Sequence, residues 1–194
     1  MSKIYKSLSM KKIVLLIIIS LAFNYIYAQV YKSVEKKGIL SFHSSTPMED
    51  IDAKTEAANS LLNSITDSVM IRVQMTTFKF PKALMEEHFN ENYVESSKFP
   101  VSSFRGKINQ KLDFKTDGVH KVTCTGNLTL HGVTKLVTFD GIITIKGEEV
   151  NLTSDFKIKL VDYNIEVPKV VLKNIAEEIE VKANITYSPF VKKK

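Results

Sequence analysis

The sequence predicts a mainly β protein: an antiparallel barrel of about eight strands, with two short helices near its mouth. Three observations lead there. Apolar and polar residues alternate with period two along most of the chain, the mark of half-buried strands. The alternating runs succeed one another across short corners, as hairpins do. Helical spacing is confined to two segments of the first half. Closing such a sheet into a barrel removes the exposed edges that an open one would keep.

Val30–Val34 and Gly38–Ser44 read as short strands on either side of a turn at Lys36-Lys37-Gly38. Thr46-Pro47 interrupts the pattern. From Asp50 the period changes. Ala53, Ala57 and Leu61, with Ala58, Leu62 and Ile65, recur three and four apart and predict an amphipathic helix over Asp52–Leu62, capped by Asp50 or Asp52. Its apolar stripe is thin, which suits a helix lying across a barrel mouth. Ser68–Phe80 returns to strand, with Val69, Ile71, Val73 and Met75 on one face. Phe78 and Phe80 have the opposite parity, so a bulge or change of environment is expected near Thr76-Thr77. Pro81 opens a short helix, Lys82–Phe89, because proline is tolerated in a first turn.

Phe99-Pro100 ends that connection, and Val101–Phe114 alternates with Phe104, Ile108, Leu112 and Phe114 on one face. Asp117-Gly118 signals a hairpin turn into the central stretch. There Val122, Cys124, Leu128 and Leu130 share even positions, with threonines and lysine on odd ones. After His131-Gly132 the pattern restarts on odd positions with Val133, Val137, Phe139, Ile143 and Ile145. Glycine accepts the backbone conformation that a tight corner needs. Lys146-Gly147 turns the chain again, and Val150, Leu152, Phe156, Ile158 and Leu160 form the next face. Val161–Asn174 is a longer connection around Pro168. The last strand sets Ile179, Val181, Ala183, Ile185 and Tyr187 against Glu178, Glu180, Lys182 and Asn184.

Two blocks carry a family likeness. Gly126–Phe139, GNLTLHGVTKLVTF, resembles the central signature of the YceI-like family, bacterial secreted proteins that bind polyisoprenoids and other lipids. Phe78–Phe104, with its L-M-E-E-H-F helix followed by Phe99-Pro100, is similar to that family's strand–helix–strand segment. The blocks stand in the family's order, and the likeness runs from about Gly38 to Tyr187. It implies a lipocalin-like barrel, extended enough to hold a long lipid chain in an internal tunnel. The chain departs from the family's opening, which usually includes a tryptophan-containing strand; this sequence has no tryptophan.

The first 28 residues read as a secretory signal peptide. Lys3, Lys6, Lys11 and Lys12 precede the apolar run Ile13–Phe23, and Ile26-Tyr27-Ala28 offers a cleavage site before Gln29. A bilayer span wants about 20 apolar residues, more than this run supplies. The expected domain is therefore 29–194, exported to the periplasm or secreted. Of the 27 basic side chains, removing these four leaves 23 against 21 acidic ones, a charge of +2. No basic stripe interleaved with aromatics is present, so nucleic acid is a poor partner. Cys124 is the single cysteine, excludes an intrachain disulfide, and falls on an inward face.

The inward faces are nearly all apolar. The candidate ligand-binding residues are Val69, Ile71, Phe104, Ile108, Val122, Leu128, Phe139, Phe156 and Val181 on strands, with Leu84, Met85 and Phe89 on the second helix. Such a wall favours transfer of alkyl or isoprenyl groups from water, about 0.8 kcal/mol per methylene. The residues alone favour a filled core; the family likeness reverses the reading to a lipid site. The expected ligand is an amphiphile, a polyisoprenoid or isoprenoid quinone first and a fatty acid or its amide second. Transient membrane contact for exchange and a homodimer are compatible with this, and no cofactor or metal is expected. Catalysis finds little support. His43, His88, His120 and His131 lack metal-ligand spacing, and no nucleophile or phosphate-loop motif is present. Two rivals stay open: an exported adaptor domain with a solid core, and a hydrolase using His88 or His131.

Overall fold

The computed structural model describes residues 30–166 and 176–190. The signal-peptide expectation and most of the Val161–Asn174 connection lie outside the described residues. The strands are β1 (Val30–Ser45), β2 (Asp50–Thr55), β3 (Asn59–Asn63), β4 (Ser68–Gln74), β5 (Val101–Ile108), β6 (Gly118–Leu130), β7 (Val133–Lys146), β8 (Glu149–Lys159) and β9 (Glu178–Pro189). All pair antiparallel with their sequence neighbours or across β1. β1 pairs with β3 on one side and β9 on the other, and this joint closes an eight-stranded barrel. β2 is a ninth strand that extends the wall beside the upper part of β1.

β6 and β7 form the long central hairpin, paired without a break from Gly118–Ile145 to Leu130–Val133. His131 and Gly132 make the corner with φ of +48° and +72°. Two positive φ values match the twist of the flanking strands, which is why a glycine stands there.

The helix expected over Asp52–Leu62 is absent; β2 and β3 occupy that stretch. Ala53 and Thr55 are buried on odd positions, then Ala58, Ser60 and Leu62 on even ones. Two alternating runs of opposite parity, joined at Glu56-Ala57, imitate a helical three–four spacing. The turn expected at Lys36-Lys37-Gly38 is a bulge in one continuous, bent strand, with Lys36 at φ +57°. Gly38 is required there: a Cβ would fall 1.9 Å from the Ala58 carbonyl oxygen.

β5 ends at Ile108, and residues 109–117 form a wide connection instead of a tight Asp117-Gly118 turn. The reason is Phe114, which folds into the closed end and packs on Tyr31 at 5.9 Å between ring centroids. Asp117 instead accepts the Gly147 N–H at 2.7 Å, tying two hairpins together. The parity break after Met75 is a 3-10 turn, Met75–Thr77. Helix α1 (Ala83–His88) follows and runs into a π turn over Phe89–Tyr93.

The interior divides into two clusters. Tyr31, Leu62, Ile143, Ile145, Val150, Ile185 and Tyr187 fill the closed end solidly. The other cluster, among it Val73, Met75, Phe104, Leu130 and Tyr163, surrounds the open half.

Candidate ligand cavity

The open half encloses a cavity of about 520 Å³, within the range of small-molecule sites. Eleven of the twelve residues singled out in the sequence line it. Val69 and Val122 form its floor with Leu152, residues that also belong to the closed-end cluster. Ile71, Phe104, Leu128, Phe139, Phe156 and Val181 form the wall, and Leu84, Met85 and Phe89 reach it from the helix and the turn beyond. Ile108 does not reach it. That residue sits at the lower end of β5, where Asp67 and Cys124 pair beside it, and is sealed in the closed-end cluster.

The strand alternation explains why so many of these side chains meet. Adjacent strands pair Phe104 with Leu128 and Ile71 with Phe104, so inward residues form rings around the barrel. Cys124 shares this wall, and burial pushes its thiol up to about 11.

Four phenylalanines close much of the mouth. Phe42 lies 5.4 Å from Phe89 and 5.5 Å from Phe78, and Phe80 lies 5.0 Å from Phe89, centroid to centroid. Phe42 was missed as a site residue, although its parity with Leu40 and Ser44 in β1 carried the signal. Outside the aromatics stand two ion pairs, Lys82–Glu49 at 2.9 Å and Lys79–Glu86 at 2.5 Å, and a His43–Asp52 hydrogen bond at 2.8 Å. Lys79 donates to Glu86 and holds that carboxyl below the usual range. The lining is thus predominantly apolar, with Ser44, Ser102, Ser103 and Ser154 among its few polar side chains.

His131 is a strut. Its Nδ1 lies 3.0 Å from the Tyr163 carbonyl oxygen, its Nε2 3.0 Å from Glu95 Oε2, and its ring packs on Phe99 at 4.5 Å. Both partners are acceptors, so the ring is held between them. Ser102 Oγ donates to the Thr129 carbonyl at 2.9 Å, and His88 stands exposed at the end of α1. Among the described residues, no three His, Cys, Asp or Glu side chains are grouped to hold a metal ion.

A family model described as the YceI-like domain matches residues 28–187. Protein YceI of Escherichia coli O157:H7 is 28% identical over 110 residues, 53% of this chain and 54% of its own length. Protein YceI of Shigella flexneri matches to the same extent. The match thus spans about half the length of these curated relatives. Among solved structures, Burkholderia cenocepacia BcnA superposes with a TM-score of 0.67 at 15% identity, over 79% of this chain and 98% of BcnA. A polyisoprenoid binding domain from Saccharophagus degradans, implicated in plant cell wall breakdown, superposes with a TM-score of 0.69 at 13% identity, over 84% and 100%. At such identities the likeness is one of fold.

Proposed function

The chain belongs to the YceI-like family, and on that footing we propose that it is an exported carrier of one amphiphilic lipid. The observation that bears most weight is the cavity: a predominantly apolar chamber of about 520 Å³. A tail of ten methylenes moved into it from water gains roughly 8 kcal/mol, enough to bind without a polar anchor inside. The head group stays at the rim among Lys79, Lys82, Glu49 and Glu86. The Saccharophagus degradans neighbour, described as a polyisoprenoid binding domain, favours an isoprenoid or isoprenoid quinone over an acyl chain. The basic and apolar segments of residues 1–28 support export to the periplasm or beyond. No covalent chemistry is part of the role.

The test is native mass spectrometry of the full chain expressed in a bacterial host and purified without detergent, followed by organic extraction. A stoichiometric adduct that extraction removes, and that runs as an isoprenoid or acyl species, is the expected result. A bare chain that also fails to take up octaprenyl or acyl probes would move the role to a surface-acting adaptor.

A further inference from the structure

The β7–β8 ladder stops half way. It runs from Lys146–Glu149 to Ile142–Thr153 and no further, while β7 continues to Val133 against β6 and β8 continues to Lys159 against β9. At the parting point Ser154 Oγ donates to the Asp140 carbonyl at 2.5 Å, a side chain standing where a ladder bond would be. The strands are tied again only at the top. There Lys135 meets Asp162 at 2.7 Å, and His131 Nδ1 lies 3.0 Å from the Tyr163 carbonyl. Between Lys135 and Asp140 lies a stretch of about 16 Å, at about 3.3 Å per residue. The cavity reaches this seam, since Asp140, Gly141 and Ser154 are among its lining.

A ring contact spans the seam, with the inward side chains Val137 and Ile158 beside it. The rings of Phe139 and Phe156 lie 3.9 Å apart and 30° from parallel, one from each strand. Outside it, Leu136 and Val161 are about three-quarters exposed, giving apolar footing beside the opening. The end mouth, by contrast, is crossed by the phenylalanine cluster and the two ion pairs outside it.

We propose that the hydrocarbon chain enters and leaves sideways through this β7–β8 slot, with Phe139 and Phe156 as its gate. The proposal rests on the lipid-binding reading above. No ladder bond has to break for passage; the Phe139 and Phe156 rings, with Val137 and Ile158 beside them, have to swing aside. A chain laid lengthwise into the slot also leaves its head group outside, so nothing polar crosses the apolar wall.

The test bridges the slot. Extending the observed register sets Thr138 opposite Lys157, both facing outward. Thr138→Cys and Lys157→Cys are introduced together in a Cys124→Ser background and joined by a short bismaleimide. The same protein capped with N-ethylmaleimide is the reference, and cis-parinaric acid is the probe. Bridging is expected to slow uptake and release about tenfold or more while leaving Kd within about twofold, as gating does. Phe156→Ala, unbridged, is expected to speed both rates. Unchanged rates in a bridged protein that still binds, or in Phe156→Ala, would overturn the slot and leave the carrier reading standing. Absence of binding in the capped reference would overturn both.

Discussion

The Tyr187 hydroxyl lies 2.7 Å from Ser60 Oγ, joining β9 to β3 across the closed end although β1 stands between them in the sheet. Ser60 Oγ donates to the Met70 carbonyl at 2.8 Å, so the tyrosine is the donor to Ser60. Tyr187 is fully buried, and burial raises its phenol well above the usual range.

The two partners are therefore unequal. Tyr187→Phe removes one hydrogen bond and leaves Ser60 satisfied by Met70, a loss of about 1 kcal/mol. Ser60→Ala strands a buried hydroxyl and costs more, about 2 kcal/mol. Urea unfolding of the two single variants measures both; equal losses would show that the closed end rearranges around the vacancy.

Cys124 gives a pH signature. Its thiol rises from 9.0 to about 11 on burial. A folded value raised above the unfolded one gives stability that is fully present below pH 9 and lost as pH climbs from 9 to 11. Cys124→Ala should flatten that part of the curve in denaturation experiments across pH 8–11. Because the thiol lines the cavity, loading with a lipid should also slow its alkylation by iodoacetamide at fixed pH. An alkylation rate indifferent to lipid would put the cargo elsewhere.

Much of this was legible in the sequence because strand parity is local information. Val122, Cys124, Leu128 and Leu130 alternate up to His131-Gly132, and Val133, Val137, Phe139, Ile143 and Ile145 resume beyond it; the structure pairs the two runs in that register. The Phe78 and Phe80 parity break likewise announced the turn after Met75. The false helix at Asp52–Leu62 shows the limit: a parity switch between two short strands has the same spacing as a helix face. The rim and the slot were out of reach for another reason. Lys82 and Glu49 meet across 33 residues, and nothing in either segment specifies the partner. Phe156 and Ile158 continue the β8 alternation as though the strand were paired on both sides, so the missing half of the ladder leaves no trace in the pattern.

Glu95, held by Lys98 and His131, contributes to the fall of stability in acid. Glu95 bonds Lys98 and His131, and both hold its carboxyl below its ordinary value of 4.5. A lowered folded value means the contribution is fully present above pH 4.5 and disappears as pH drops through that lower value. Glu95→Gln should remove this part of the acid-side decline. Unfolding midpoints at pH 7 and pH 3 should then differ less in the variant than in the parent. A parallel decline in both would show that Glu95 carries no linked stability.

Ala183 and Ile185 are neighbours on the inward face of β9, yet one lines the cavity and the other is sealed in the closed end with no exposed surface. The same enlargement should therefore have opposite consequences. A phenylalanine at Ile185 enters a packed region, where added volume forces strain and typically costs 1–3 kcal/mol, here about 2 kcal/mol. Ala183→Phe has a chamber to grow into, so its stability should stay within about 1 kcal/mol of the parent, buried apolar area offsetting local adjustment. The lost volume should appear in cargo instead. Titration with acyl chains of increasing length should show the longest tails losing affinity first in Ala183→Phe, while short tails bind as before. Equal destabilisation at the two positions would mean the cavity collapses into packed core, and the filled-core adaptor would then be the better account.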